Sequence, residues 1–291
     1  MKEDARQSGQ GDCGHAHDHE HGHEHVHADR TVATGDGEPA RVLTIRAHSG
    51  LSGDMFLAGL LRMTDCDESA LNEALVSILP ELAGSVRLTR RLVNHIGGWH
   101  AEVSLPRQHA HRALTDILTL IEASGMSGPA KRLAAEAFAL IAHAEAAVHG
   151  KRPEEVHFHE VGALDSILDI CMSCELFVRL APARLVVSPL PVADGSVVCA
   201  HGILPVPAPA VLELLEGVPV RPFPAEGETV TPTAVALLRA FGAVFGPWPA
   251  MRVEKRALVY GTRVFPNAPN GAIFACGPLV GRQAGCPPSE F

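Results

Sequence analysis

Up to about residue 40 the chain carries almost no large apolar side chain, which confines every packed element to the stretch from Arg41 onward. A polar, acidic, Gly-containing segment cannot bury enough surface to offset its ordering entropy, so residues 1–40 are expected to be a disordered tail. Beyond it the composition changes. With 46% hydrophobic residues overall, a sizeable core can form without disulfides. A single globular domain is expected over residues 41–276, with a second disordered tail, rich in Gly and Pro, over 277–291.

Within the domain, hydrophobic patterning predicts alternating strands and helices of an α/β fold, with a mixed α+β arrangement also compatible. Val42 to Ile45 reads as a buried strand, Ser49 to Asp54 as a small-residue loop, and Met55 to Met63 as a helix. A second helix is expected over Glu68–Ile78. Val86 to Leu105 suggests two strands joined at Gly97-Gly98. Helices are expected next at Ala113–Ser124 and at Pro129–His149, the latter with Pro near its first turn and Gly150 as its stop. Glu155 to Glu160 alternates as an extended segment would. Asp165 or Ser166 is expected to cap a helix reaching Leu180. Leu185–Val187 and Val197–Cys199 read as strands, Pro207–Glu216 as a helix, Thr231-Pro232 as the opening of another, and Met251–Val264 as strand-rich.

The formal net charge of -9 excludes the basic stripe that a nucleic-acid surface needs, and no polybasic patch serves an anionic membrane. No apolar run approaches the ~20 residues that span a bilayer, and Met1 to Gly14 lacks a signal-peptide core. The expected location is therefore cytoplasmic. Seven scattered cysteines fit reduced thiols better than a disulfide framework. Cys171 and Cys174 form a Cys-x-x-Cys inside an apolar helix, where buried structural thiols are the better reading.

Histidine is the unusual residue, with 17 in the chain. His15, His17, His19, His21, His23, His25 and His27 occupy every second position of the tail, interleaved with Asp18, Glu20 and Glu24. Neutral imidazole suits Ni, Zn, Cu and Co, and a flexible strand of imidazoles can wrap several ions without fixing their geometry. This points to a collector or store of metal. In His157-Phe158-His159-Glu160 an extended backbone would put His157 and His159 on one face. With Glu160, Asp165 and Asp169 nearby they form a candidate metal or proton-transfer cluster. Asp165 and Asp169, four apart, can share a helix face. The blander reading makes Asp165 an N-cap and the histidines surface residues.

Other candidates are less specific. Ser49, Gly50, Ser52, Gly53 and Asp54 open a helix whose N–H groups could seat a phosphate, although Asp54 would also serve as an ordinary cap. His109, His111 and Arg112 precede a helix, and the arginine could meet a phosphate. His149, four residues after Glu145, could ligate metal or simply complement the helix dipole. His201 comes just after a strand, where a lone histidine is usually structural.

Taken together these segments resemble the LarC family of nickel-insertion proteins. The resemblance rests on Ser49 to Met55, Ala144 to Gly150, Val156 to Ala163 running into Asp165-Ser166, His201 to Ala210, and Thr229 to Thr233, with a fainter match at Phe265 to Asn270. It implies a nickel chelatase or lyase that places Ni²⁺ between two thiocarboxylate sulfurs of a pyridinium mononucleotide, completing the nickel-pincer cofactor. It also implies CTP hydrolysis and a second divalent ion such as Mn²⁺ or Mg²⁺. His157, His159, His109, His111, His149 and His201 would then hold nickel with the tail. Ser49 to Asp54 and Arg112 would hold the nucleotide, and Glu160, Asp165 and Asp169 would take the proton leaving the ring. The chain departs from the family in having Arg46-Ala47 before Ser-Gly, in splitting paired histidines as His109-Ala110-His111, and in stopping where the family normally continues into a CTP-binding domain. The expectation is therefore that a separate subunit supplies the CTP site, or that the chain is a nickel-binding metallochaperone or store serving a nickel-enzyme apoprotein. A hydrolase using a bound Zn²⁺ or Mn²⁺ is a further alternative.

Overall fold

The computed structural model describes residues 40–105, 112–158, 162–199 and 202–280. The histidines from His15 to His27, together with His109, His111, His159, Glu160 and His201, lie outside the described residues. So do the segments 1–39 and 281–291.

The strands are β1 (Arg41–Ala47), β2 (Val86–Val93), β3 (Ile96–Val103), β4 (Arg112–Ala113), β5 (His157–Phe158), β6 (Arg184–Val187) and β7 (Leu190–Asp194). After them come β8 (Ser196–Cys199), β9 (Gly202–Pro205), β10 (Val220–Glu226), β11 (Val244–Phe245), β12 (Lys255–Val259) and β13 (Ala272–Pro278). The helices are α1 (Gly53–Thr64), α2 (Glu68–Ile78), α3 (Leu114–Ala123), α4 (Gly128–His149), α5 (Leu164–Leu180), α6 (Pro209–Leu214) and α7 (Pro232–Ala240). None of these helices is long and apolar enough to cross a membrane.

A seven-stranded mixed sheet in the order β11-β6-β1-β13-β12-β3-β2 forms the frame. β1 lies inside the sheet between β6, parallel, and β13, antiparallel, and its side chains are buried from Val42 to Ala47 without alternation, as in a strand covered on both faces. Its polar members are satisfied internally. Thr44 Oγ1 donates to Val186 O, and Arg46 donates to Thr44 Oγ1 and to Gly246 O at 2.8 Å while stacking on Trp248. Burial pulls the Arg46 guanidinium below its ordinary pKa.

α1 packs on β3, β12 and β13 of the sheet and against α5, and α4 lies across α5, α6 and α7. Phe56 of α1 sits fully buried, edge-on to both Phe241 and Phe274 at 6.0 Å. Burying such a ring contributes about 1.5–3 kcal/mol. Phe177 of α5 stacks on Phe241 at 3.9 Å, joining α5 to the end of α7. Cys171 and Cys174 are fully buried within α5. Burial pushes the Cys171 thiol up to about 12 and holds the Cys174 thiol well above its ordinary value, as expected of structural thiols.

Several boundaries differ from the sequence reading. The β2–β3 hairpin turns at Asn94-His95, not at Gly97-Gly98. Both turn residues have positive φ, and Val93 pairs with Ile96, the geometry of a two-residue type I′ turn. Gly98 lies inside β3 because a Cβ there would come within 2.5 Å of the Tyr260 ring. The N-cap position of α5 is Ala163, with Asp165 in the first turn. β13, absent from the sequence reading, runs through Gly277 to Pro278, and Leu279 still donates to Ala40 O.

Candidate functional site

The loop between β1 and α1 is stitched to two other segments before it reaches the helix. His48 N and Ser49 N donate to Gly271 O, and Gly271 N donates back to Ser49 Oγ. Leu51 N donates to Thr229 O, and Thr231 N donates to Leu51 O. Gly50, at φ +138, lies so close to Thr229 that an added Cβ would be 1.8 Å from its carbonyl oxygen. These N–H groups are spent on protein oxygens, and the chain then delivers Ser52, Gly53 and Asp54 to the lining of a cleft of about 1020 Å³.

Asp54 is anchored there. Its Oδ1 accepts from Ser52 Oγ and from Met55 N, and its Oδ2 receives Thr262 Oγ1 at 3.5 Å. β3 contributes His100 and Glu102 to the same cleft. His100 Nδ1 lies 2.9 Å from Tyr260 O and 3.9 Å from Asp54 Oδ2. A carbonyl can only accept, so Nδ1 carries the proton, and the tautomer this selects has its lone pair on Nε2.

α5 contributes Asp165 and Asp169, one turn apart. Asp165 is exposed, whereas Asp169 is set into the wall, with Oδ1 sealed from solvent and without a hydrogen-bond partner. Burial first, and then the charges of Asp54 and Asp165, hold the Asp169 carboxyl well above the usual carboxylate range. Its Oδ2 occupies the space where Gly53 lacks a side chain, since a Cβ at Gly53 would fall 2.3 Å from it. Gly53→Ala is therefore expected to expel the carboxyl from its seat, even though alanine is the better helix former by about 1 kcal/mol. Titration of Asp169 by carboxyl-selective NMR would show its pKa return toward the ordinary value; an unchanged titration would refute the contact.

α4 adds Glu145 and His149 to the lining, paired at 3.5 Å in its last turn. Glu228, the β8–β9 hairpin through Val197, Val198 and Leu204, and the start of α7 at Pro232-Thr233 complete the lining. Among the described lining residues there are carboxylates and two histidines but no Lys or Arg. No three His, Cys, Asp or Glu side chains among the described residues converge as a metal cluster.

Of the described residues singled out from sequence, the cleft unites Ser52, Gly53, Asp54, His149, Asp165 and Asp169. Ser49 and Gly50 hold the loop without lining the cleft. Arg112 lies on β4, donating to Gly162 O at 2.6 Å, and His157 is exposed on β5 beside buried Phe158. Sequence reasoning missed His100, Glu102, Glu228 and Thr262. Glu228 adjoins the Thr229–Thr233 segment already singled out, a signal that could have found it. His100 sits among alternating β3 residues with nothing local to mark it.

Comparison with known proteins bears on the same region. The profile of the family described as nickel insertion protein matches residues 43–276. A pyridinium-3,5-bisthiocarboxylic acid mononucleotide nickel insertion protein of Nocardioides sp. is 39% identical over 226 residues, covering 78% of this chain and 57% of the relative. A protein of the same name from Desulfitobacterium hafniense is 41% identical over 208 residues, covering 71% of this chain and 51% of the relative. The chain thus spans little more than half the length of these relatives. No solved structure matches it. With the profile running from β1 to β13 and taking in every element that lines the cleft, the chain belongs to the nickel insertion protein family.

Proposed function

We propose that the chain acts in nickel insertion into pyridinium-3,5-bisthiocarboxylic acid mononucleotide, the substrate in the names of its relatives. The cleft would be the place where ion and ring meet. The observation that carries this reading is the cleft's composition: carboxylates and imidazoles around a space large enough for a mononucleotide ring, within the segment that the family profile covers. Nickel is cargo in this reaction. When Ni²⁺ replaces the ring hydrogen, the C–H electron pair becomes the Ni–C bond and a proton must leave. Asp169 is the group suited to keep that proton, because its surroundings favour the neutral acid. Asp54 and Asp165 line the cleft beside it, and His100 would offer Nε2 to the ion or to a proton in transit. His157 and His159, with the histidine tail, would deliver nickel to the cleft.

The cleft's described residues do not fit the other groups that the resemblance implies. No Lys or Arg stands among the described lining residues to meet a triphosphate, and no described carboxylate cluster forms a ligand set for a resident Mn²⁺ or Mg²⁺. CTP, if used, is assigned to a site outside the described residues.

Incubating the protein with Ni²⁺, CTP and the thiocarboxylated nucleotide, and weighing the product, tests the reading. Product formed by the chain, alone or only after a second polypeptide is added, supports insertion. Nickel bound with no product under either condition would favour a store. Deleting residues 1–40 is expected to lower Ni²⁺ stoichiometry while leaving at least one site, and His157→Ala with His159→Ala is expected to abolish that site. Equilibrium dialysis checks both, and an unchanged Ni²⁺ affinity in the double variant would remove those residues from the pathway.

A further inference from the structure

The stretch from Gly202 to Pro205, part of the block that carries the family resemblance, is one strand of the β8–β9 hairpin, which forms a two-stranded sheet of its own. The hairpin is clamped at its base, where Val206 N donates to Gly195 O and Gly227 N donates to Asp194 O. Just above the clamp Val197 stands opposite Leu204, so their side chains share one face. Both are partly buried and both line the cleft. The next pair, Val198 and Ile203, is 79% and 75% exposed; Val198 borders the cleft and Ile203 does not.

Val197 and Leu204 belong to neither of the hydrophobic cores that the described residues form. Val148 of α4, 40% exposed, lines the same cleft. Aliphatic side chains thus stand wet in a cleft that also offers carboxylates, imidazoles and hydroxyls. Such a surface gains free energy when a ligand covers it, and a few polar groups beside it then fix the ligand's orientation. No Phe, Tyr or Trp stands among the described lining residues, so aliphatic groups are what the cleft sets against a flat ligand.

Resting on the insertion reading above, we propose that Val197 and Leu204, with Val148, form the surface against which the pyridinium ring of the mononucleotide lies, and so select a flat ring. The ring's thiocarboxylates lie at its edge, and its two faces are carbon with little to hydrogen-bond. A face laid on the aliphatic pair loses water at no polar cost. It leaves the edge, where the C–H to be replaced lies, to the polar side chains of the cleft. Val197 and Leu204 are positioning residues: they hold the ring and take no part in moving the proton.

The test is calorimetry of the full, metal-free chain with pyridinium-3,5-bisthiocarboxylic acid mononucleotide over a range of temperatures. Leu204→Ala should weaken binding by about 5-fold or more, the effect of removing buried methylenes, and Leu204→Met should restore most of it. Val197→Thr keeps the branched shape and changes a methyl to a hydroxyl; it should weaken binding by about 3-fold or more. In both weakened variants the heat capacity change of binding should become less negative, the mark of lost apolar burial. With nickel added, the loss should fall on KM and leave kcat within about 2-fold. Ile203→Ala, on the same hairpin but outside the cleft, should bind as the wild type does. An equal loss in Ile203→Ala, or affinity and heat capacity unmoved by Leu204→Ala and Val197→Thr, overturns the assignment. Mass analysis of the nickel mixtures separates the two ideas. Product formed with unmoved affinities removes the ring surface and leaves insertion standing; weakened binding in the variants without product from the wild type keeps the surface and counts against insertion. A wild type that does not bind the nucleotide overturns both.

Discussion

Asp169→Asn is expected to lower nickel insertion by about 100-fold or more, the usual contribution of a positioned proton acceptor, and yet to give a protein that melts above the wild type at pH 8. Both effects have one cause. Asp169 is held above the ordinary carboxylate range by burial and by the neighbouring charges of Asp54 and Asp165. A carboxyl raised in this way stabilises the fold as the neutral acid. That contribution is fully present below the unfolded value of about 3.9 and is lost as pH climbs through the raised native value. Asparagine keeps the shape and cannot ionise, so the variant escapes the loss. Its melting temperature should match the wild type near pH 4 and exceed it increasingly toward pH 8. Scanning calorimetry across that range decides the matter: a difference that does not change with pH would mean that Asp169 is not held as a neutral acid. Retained activity in the variant would remove it from the proton's path.

Gly50→Ala should produce the largest loss of stability of any single methyl addition around the site. The backbone there sits at φ +138, and the new Cβ would lie 1.8 Å from Thr229 O and 2.7 Å from its carbonyl carbon. Neither is the movable end of a side chain, so the β1–α1 loop must part from Thr229, breaking the Leu51–Thr229 and Thr231–Leu51 hydrogen bonds. A cost of about 3 kcal/mol or more is expected for strain and lost bonds together. At about 2–4 °C per kcal/mol, this lowers the melting temperature by roughly 6–12 °C. Gly84→Ala is the control, since Gly84 also has positive φ, +64, but nothing within 4 Å of its would-be Cβ. It should lose only the backbone cost of about 1–2 kcal/mol. Equal losses at the two positions would show that the contact with Thr229 does not matter.

Much of the helical layer was legible from sequence because its signals are local. Glu68 to Ile78 and Pro129 to His149 carry their own apolar spacing and stops, and the structure places α2 and α4 there. The cleft was half legible for the same reason: Ser52 to Asp54 open a helix, and Asp165 and Asp169 share a face of one. What escaped depends on contacts between distant segments. β13 is a short, mostly apolar run buried on both faces and so without alternation, and such a run does not announce itself as a strand. Gly98 looked like a turn, but it is glycine on account of Tyr260, more than 160 residues further on. His100 belongs to the site through the Tyr260 carbonyl and Asp54, and neither partner is near it in sequence.

The place of β13 in the sheet also shapes how the molecule is made. It joins β6–β1 on one side to β12–β3–β2 on the other, so the two halves of the sheet have no strand in common until it arrives. On a ribosome adding about 5–20 residues per second, β1 emerges roughly 10–45 s before Ala272. Throughout that interval β1 presents an unpaired apolar edge, the kind of surface on which nascent chains associate wrongly, and a chaperone has most to shield there.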